Sequence, residues 1–523
     1  MFVLLRLLSI RPVVLLLLFA VGCAEAESQS NVGTESQRNG FAFLYPILRT
    51  YESNAKLEEE YCVELGIDYP VEQKKVLIPF KQYQKKRFPQ QDDDQQEELH
   101  QLTLWYKEHE QVIDTIREAL QYPDFHIVGE PVSLAKNKKS PKLADMFFGS
   151  VASPRTVYGD LRELQRFLIA GASIMAEEKR YDDLFETLML LKQFGAALAT
   201  SVDVRFQLLG IGIEGSAMYR HNDLFLADTL SAEWYRSQIE KLVNRADFHN
   251  GSAIPPEIRM ERYIRYLDEA QNDPNTRENL FFFESLQRRL SKDTGGLIEA
   301  EGPSEREKTV NEWFPKIDWD KLKQMIQPWG KRMAEMAELP TYTERIDNFR
   351  QIEAEMKIFS EKHQSPRTST LTELAAAVIF PPLLDVEISI DEARTRNQTI
   401  GEMLIIHYAI AAYRFEHKDY PKSLADVLFM ELPELPNDPF SNGKPFGYCT
   451  FEGGCVVYSV GKNGTLDKEG KAFSIRIGLP DNSGDLFWDP SGDDIGFFQL
   501  DANQKPKKSK RQQYTLEKAI GTW

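Results

Sequence analysis

From Pro381 to His417 the chain carries no interior helix breaker except Gly401, and this run limits the architectures open to it. Val386, Ile390, Ala393, Ile400, Leu404, Ala411 and Phe415 recur at approximate spacings of three and four, the stripe of one buried helix face. Pro381 and Pro382 stand where a helix can start, because proline is tolerated in a first turn. A continuous helix here has about 36 residues and is ~54 Å long. Beyond Tyr420-Pro421 the composition shifts to Gly, Pro, Asp and aromatic residues. The helix therefore reads as a spine joining two regions of different class.

The region before the spine is helical. Leu161, Leu164, Phe167, Leu168 and Ala172 mark one buried face. Ala170–Arg180, a break near Tyr181 and Asp183–Thr200 read as a helical hairpin of tetratricopeptide type, and a repeat array needs several such units. Phe206–Tyr219 reads as a further apolar helix in which Gly210, Gly212 and Gly215 allow close backbone contact. Ser231 opens another helix, with Glu233 in its first turn. Pro255-Pro256 precedes a charged helix, Lys292–Lys308 reads as a surface loop, and further helices start at Asp318 and Thr341. The region after the spine is sheet: Phe446–Thr450 and Cys455–Val460 read as antiparallel strands, with weaker candidates at Phe473–Ile477 and Gly496–Leu500. The expected organisation is a targeting segment over 1–26, a helical region over 27–380, an α+β module over 381–502 and a basic tail over 503–523. The fold class is mainly α, a helical-hairpin array followed by a small α+β module.

At 523 residues the chain can bury more than one sizeable core, and 42% hydrophobic with 27% charged residues is a globular composition. The formal net charge of −17 repels nucleic acid and anionic lipid, so no nucleic-acid partner is expected. Lys505, Lys507, Lys508, Lys510 and Arg511 form a local basic run at the tail.

Arg6 and Arg11 around the apolar Val13–Val21 make a signal-peptide pattern, shorter than the roughly 20 apolar residues of a membrane span. Ala20-Val21-Gly22-Cys23 fits a lipobox, which would place a lipid anchor on Cys23; Ala24-Glu25-Ala26 fits the ordinary signal peptidase. Both imply an exported chain, periplasmic or membrane-anchored through Cys23 in the first case and otherwise secreted. Of four cysteines, Cys449 and Cys455 bracket a turn-rich stretch between two strands. In an oxidising envelope they can close a hairpin loop worth ~2–3 kcal/mol; otherwise they are two reduced thiols.

Tyr413, Tyr420-Pro421, Asp438-Pro439, Gly443-Lys444-Pro445, Tyr458-Ser459-Val460-Gly461 and Asp494-Ile495 stand in an order that resembles the globular part of the major pseudopilin of type II secretion systems. The order resembles more closely a carboxyl-terminal module found on many exported proteins of planctomycetes and their relatives. Leu208-Leu209-Gly210-Ile211-Gly212-Ile213-Glu214 in the helical region is similar to the same proteins. The likeness covers roughly residues 401 to 498, under a fifth of the chain. It implies a pilin-like fold and a calcium ion held by the loop after the Tyr-Ser-x-Gly strand. The oxygen donors there are Asn463, Thr465, Asp467 and Glu469, then Asp493 and Asp494, and calcium takes about six to eight oxygens. Asn463, Asp467, Asp493 and Asp494 are the candidate ligands; the alternative is Asx turns in exposed loops. A pseudopilin also needs a glutamate five residues after its cleavage glycine. After Gly40-Phe41 that residue is Tyr45, and Pro46 and Arg49 interrupt the apolar run, so polymerisation as a pilin is not expected.

Signatures of catalysis are missing from the sequence. There is no Gly-x-Ser-x-Gly elbow, no phosphate loop and no His-Glu-x-x-His. Glu97-x-x-His100 stands alone, whereas a di-iron bundle needs two such pairs. His407 and His417 read as packed or surface residues. The expected function is a non-catalytic, exported envelope protein that binds a protein partner or serves as a scaffold. The alternatives are an exported hydrolase with a site between helices, and an accessory component of a secretion or pilus-like assembly.

Overall fold

The computed structural model describes residues 40–48, 95–122, 157–201, 204–225, 230–244, 314–363, 369–428, 432–451, 454–461, 487–488 and 495–500, with isolated positions between 77 and 84, at 125 and between 260 and 271. Over these residues the protein is mainly helical with a small antiparallel sheet. The helices are α1 (Gly40–Leu48), α2 (Gln95–Glu108), α3 (Gln111–Ala119), α4 (Val157–Glu177), α5 (Tyr181–Ala199), α6 (Val204–Arg220), α7 (Asn222–Phe225), α8 (Ala232–Val243), α9 (Trp319–Ala337), α10 (Tyr342–Lys362) and α11 (Leu371–His417). The strands are β1 (Gly447–Phe451), β2 (Gly454–Ser459), β3 (Phe487–Trp488) and β4 (Ile495–Leu500), in the order β1-β2-β4-β3.

The spine is longer than its sequence suggests. Helix α11 has 47 residues, which at 1.5 Å per residue is ~70 Å. It starts at Leu371 rather than Pro381, so the boundary expected between 380 and 381 falls inside a helix. The start is set by a capping box: Thr370 Oγ1 accepts from the Glu373 amide, and the Glu373 carboxylate accepts from the Thr370 amide. Pro381 and Pro382 are interior residues. Proline has no amide hydrogen, so Pro381 leaves the Ala377 carbonyl without its helical donor. Ser360 Oγ on α10 donates to that carbonyl at 3.3 Å. The helix ends where Lys418 turns left-handed, at φ 59°.

Two apolar cores use this one helix. The main core takes in α1 to α8, the second half of α11 from Ile400 to Ala412, and the module residues Phe440, Phe446, Cys455 and Val457. The other lies among α9, α10 from Phe349 onward and the start of α11, with Leu322, Ile326, Phe349, Ile352, Leu374 and Phe380 in it and Leu267 joining from a separate segment. We call this three-helix unit the arm. Its helices start on Asp318, Thr341 and Thr370, each of whose side-chain oxygens accepts from a backbone amide three residues on.

The expected hairpin is α4–α5, and α5 packs most closely on α6. A Cβ on Gly195 would come within 2.7 Å of the Gly210 carbonyl oxygen, so this crossing requires glycine. Gly212, expected to serve the same purpose, faces open space. In the sheet, β1 and β2 pair as expected, with Tyr448 opposite Val457 and Cys449 opposite Val456. Cys455 and Val457 face the spine, and the ring of Tyr458 lies over Gly447 on the other side. The turn Ser441-Asn442-Gly443-Lys444 has positive φ at both central residues, 54° and 83°, as a type I′ turn requires. The expected loop at 292–308 and strand at 473–477 lie outside the described residues.

Candidate functional site

Polar side chains buried against the spine form the sites with chemistry to offer. Lys192 interrupts an apolar stretch of α5, and Glu214 interrupts one of α6. Both are nearly inaccessible, and the ammonium stands 3.8 Å from the carboxylate. A buried pair of this kind gains little over an apolar pair, yet removing one member strands the other charge at a cost of ~3–5 kcal/mol. Close by, His221 just after α6 shares a 2.8 Å hydrogen bond between its Nδ1 and the Tyr408 hydroxyl of α11. Phe185, Phe225, Trp234 and Tyr235 surround Tyr408, with ring centroids 4.9 to 6.3 Å away.

Burial, aided by the positive charge of Lys192, pushes His221 down to about 3. Burial, with Tyr235 nearby, likewise raises Tyr408 well above the ordinary phenol value. At neutral pH the imidazole is therefore uncharged and the phenol keeps its proton. The pair joins the end of α6 to the spine across 187 residues of sequence. The adjoining His407 is also fully buried, its ring 5.8 Å from Phe225.

A second knot sits in the module. The buried carboxylate of Asp438 accepts from Ser459 Oγ at 2.8 Å, from the Phe440 amide at 3.0 Å and from the Val460 amide at 3.1 Å. Burial raises its pKa against the pull of those three donors. Asp438 thus fastens the end of β2 to the Asp-Pro turn, and Tyr448 Oη donates to the Pro421 carbonyl at 2.8 Å, fastening β1 to the end of the spine. On the other side, Tyr342 of α10 meets Phe440 edge-on at 4.7 Å.

Of the residues singled out from sequence, Cys23, Asn463, Asp467, Asp493 and Asp494 lie outside the described residues. Cys449 and Cys455 are not joined. The register places Cys449 opposite Val456 and Cys455 opposite Thr450, so the two side chains project from opposite faces of the hairpin. A bridge would need the two cysteines opposite each other, and a register one residue out of step puts them on opposite faces. His417 is exposed and stacks on Tyr413 at 4.0 Å, and His100 is exposed on α2. Lys192, Glu214, His221 and Tyr408 were passed over. A lone charge within an otherwise apolar helix was the signal available for the first two.

Among the described residues, no cluster of three or more His, Cys, Asp or Glu side chains is placed to hold a metal, and no helix is long and apolar enough to cross a membrane. An apolar cleft in the arm, lined by Met325, Trp329, Phe359, Phe380 and Pro381 among others, has room for about one water molecule. Comparison of the chain with family models, with curated proteins and with solved structures finds no match in any of the three.

Proposed function

We propose that this protein is a non-catalytic, exported envelope scaffold that holds a pilin-like module in fixed orientation on a helical array for a protein partner. One observation carries the reading: the array helices, the second half of the spine and the sheet of the module share one continuous apolar core. Modules joined by a linker re-orient freely; a module that buries Val457 and Cys455 in its neighbour's core does not. The buried polar groups support the same reading, because His221–Tyr408, Asp438–Ser459 and Tyr448–Pro421 all tie separate elements together. Export rests on the signal-like segment, with Cys23 as the anchor, and calcium on Asp467, Asp493 and Asp494 with Asn463 stabilises the module.

The test of the scaffold is photo-cross-linking from the exposed Thr450 of β1 in the full chain within its own envelope. A discrete protein adduct that disappears when the module's Asp438 is changed supports the reading. Turnover of a small substrate by the purified protein, with no adduct, overturns it. The calcium arm is tested by thermal unfolding with millimolar calcium and with chelator, since a ligand of the folded state alone must raise its stability. A rise of several degrees that Asp494→Ala abolishes is the expected result; coincident curves remove calcium from the proposal.

A further inference from the structure

The two cores meet the spine on either side of a polar collar. From Asp391 to Thr399 the sequence is Asp-Glu-Ala-Arg-Thr-Arg-Asn-Gln-Thr, and Asp391, Thr395, Asn397 and Thr399 are buried. Fully buried arm residues of the spine end at Leu384, with the half-buried Ile388 packed against them, and main-core residues begin at Ile400. Helix α10 crosses at the same level: Tyr342 belongs to the main core, and Phe349, Ile352 and Met356 belong to the arm. At the crossing, Arg345 Nε donates to both Asp391 oxygens at 2.8 and 3.0 Å, its Nη1 donates to the Leu339 carbonyl at 3.1 Å, and its Nη2 donates to Thr395 Oγ1 at 2.7 Å. On the spine's side toward α6, Asn397 Nδ2 donates to the Ile211 carbonyl at 2.7 Å. Among the described residues, apolar contact across the collar is a small cluster of Ala199, Ile211 and Ile390 with Leu208, Val386 and Ala393 against it.

We infer that the arm is a separately cooperative unit, able to open about this collar while the main core and the module mount stay closed. Cooperative units track contiguous apolar burial, and among the described residues apolar burial thins to one small cluster here. A shared helix does not force the units together. It can melt inward from Leu371 by single propagation steps, with no new helix nucleus to form. The arm also carries three prolines inside its helices. Pro328 lies within α9 and Pro381 and Pro382 within α11, each removing a helical hydrogen bond. Beside its core lies the small apolar cleft among Met325, Trp329, Phe359 and Phe380. The consequence is a conformational device: opening exposes the faces carrying Phe349, Ile352 and Leu374 while the module remains fixed to the array.

Hydrogen exchange with mass spectrometry on the full chain tests this. Leu374→Ala should speed exchange in residues 319–337, 349–362 and 371–384 by about thirtyfold or more. Residues 403–412 of the same helix should change less than about twofold. Should that variant fail to fold, Ile352→Val gives the same comparison at about threefold or more in the arm. Equal acceleration of arm and main-core peptides in either variant overturns the proposal, because it shows one cooperative unit spanning the collar.

Discussion

The two halves of the spine are built by different rules although they are one helix. Toward its start, Leu374, Ala375, Ile379, Phe380 and Leu384 serve a three-helix unit, and Glu373 and Asp385 mark the solvated side. Toward its end, every residue from Thr399 to Ala412 is buried. A helix buried all round has no amphipathic stripe to orient it, so the rotation of this half must be fixed otherwise. Hydrogen bonds do so, from Tyr408 to His221 and, a little earlier, from Asn397 to the Ile211 carbonyl. The difference teaches that apolar burial places the arm, whereas polar bonds give the main core its register.

The comparison breaks most visibly at the collar. Arg345→Met leaves the buried Asp391 carboxylate without its guanidinium and should cost ~3–5 kcal/mol in denaturant unfolding. Changing both, Arg345→Met with Asp391→Leu, should recover most of that loss. A double variant as unstable as the single one would mean that the arginine acts through packing alone. Next in size is Tyr408→Phe, which removes one oxygen and leaves the His221 imidazole without that bond. A loss of about 1–3 kcal/mol is expected. The same change on an exposed ring such as Tyr413 should cost far less, and parity between the two would remove the register argument.

Legibility in the sequence divides along the same line. The starts of α8, α9 and α10 were legible because Ser231, Asp318 and Thr341 are capping residues, and a cap is a local interaction. Strands β1 and β2 were legible from alternation and the turn between them. The true start of the spine is equally local, Thr370 with Glu373, but two prolines ten residues later fit a first turn as well. Their tolerance depends partly on Ser360 of another helix, which no local pattern reveals. The buried polar groups were the least legible. Tyr408 and His221 are 187 positions apart, and nothing within either segment distinguishes a bonded tyrosine from a packed one.

A pH-dependent effect also separates the regions. His221 is held at about 3 in the fold against an ordinary value of 6.5. The unfolded chain therefore takes up a proton that the native state refuses as pH falls below 6.5. The stability this group contributes is complete above that value and is lost progressively down to about 3, at up to about 1.4 kcal/mol per pH unit. His221→Gln should flatten the difference in unfolding midpoints between pH 6.5 and 4.5 for the main core. Parallel curves for the variant and the parent would show that the imidazole is hydrated in the native state.

The smallest change is the sharpest test of independence between the halves. Thr370→Ala deletes the side-chain acceptor at the first turn of the spine and should cost about 1 kcal/mol. Thr370 is exposed, so the change removes a cap without opening a cavity. If the spine transmits stability along its length, the loss should be felt equally at Tyr408, some 38 residues and ~57 Å along the helix. If the collar divides it, the loss should appear in the arm alone, because fraying that starts at Leu371 stops where Arg345 holds Asp391 and Thr395. Exchange rates of the amides at 374–384 and 403–412 distinguish the outcomes in one sample, since both stretches report from the same helix.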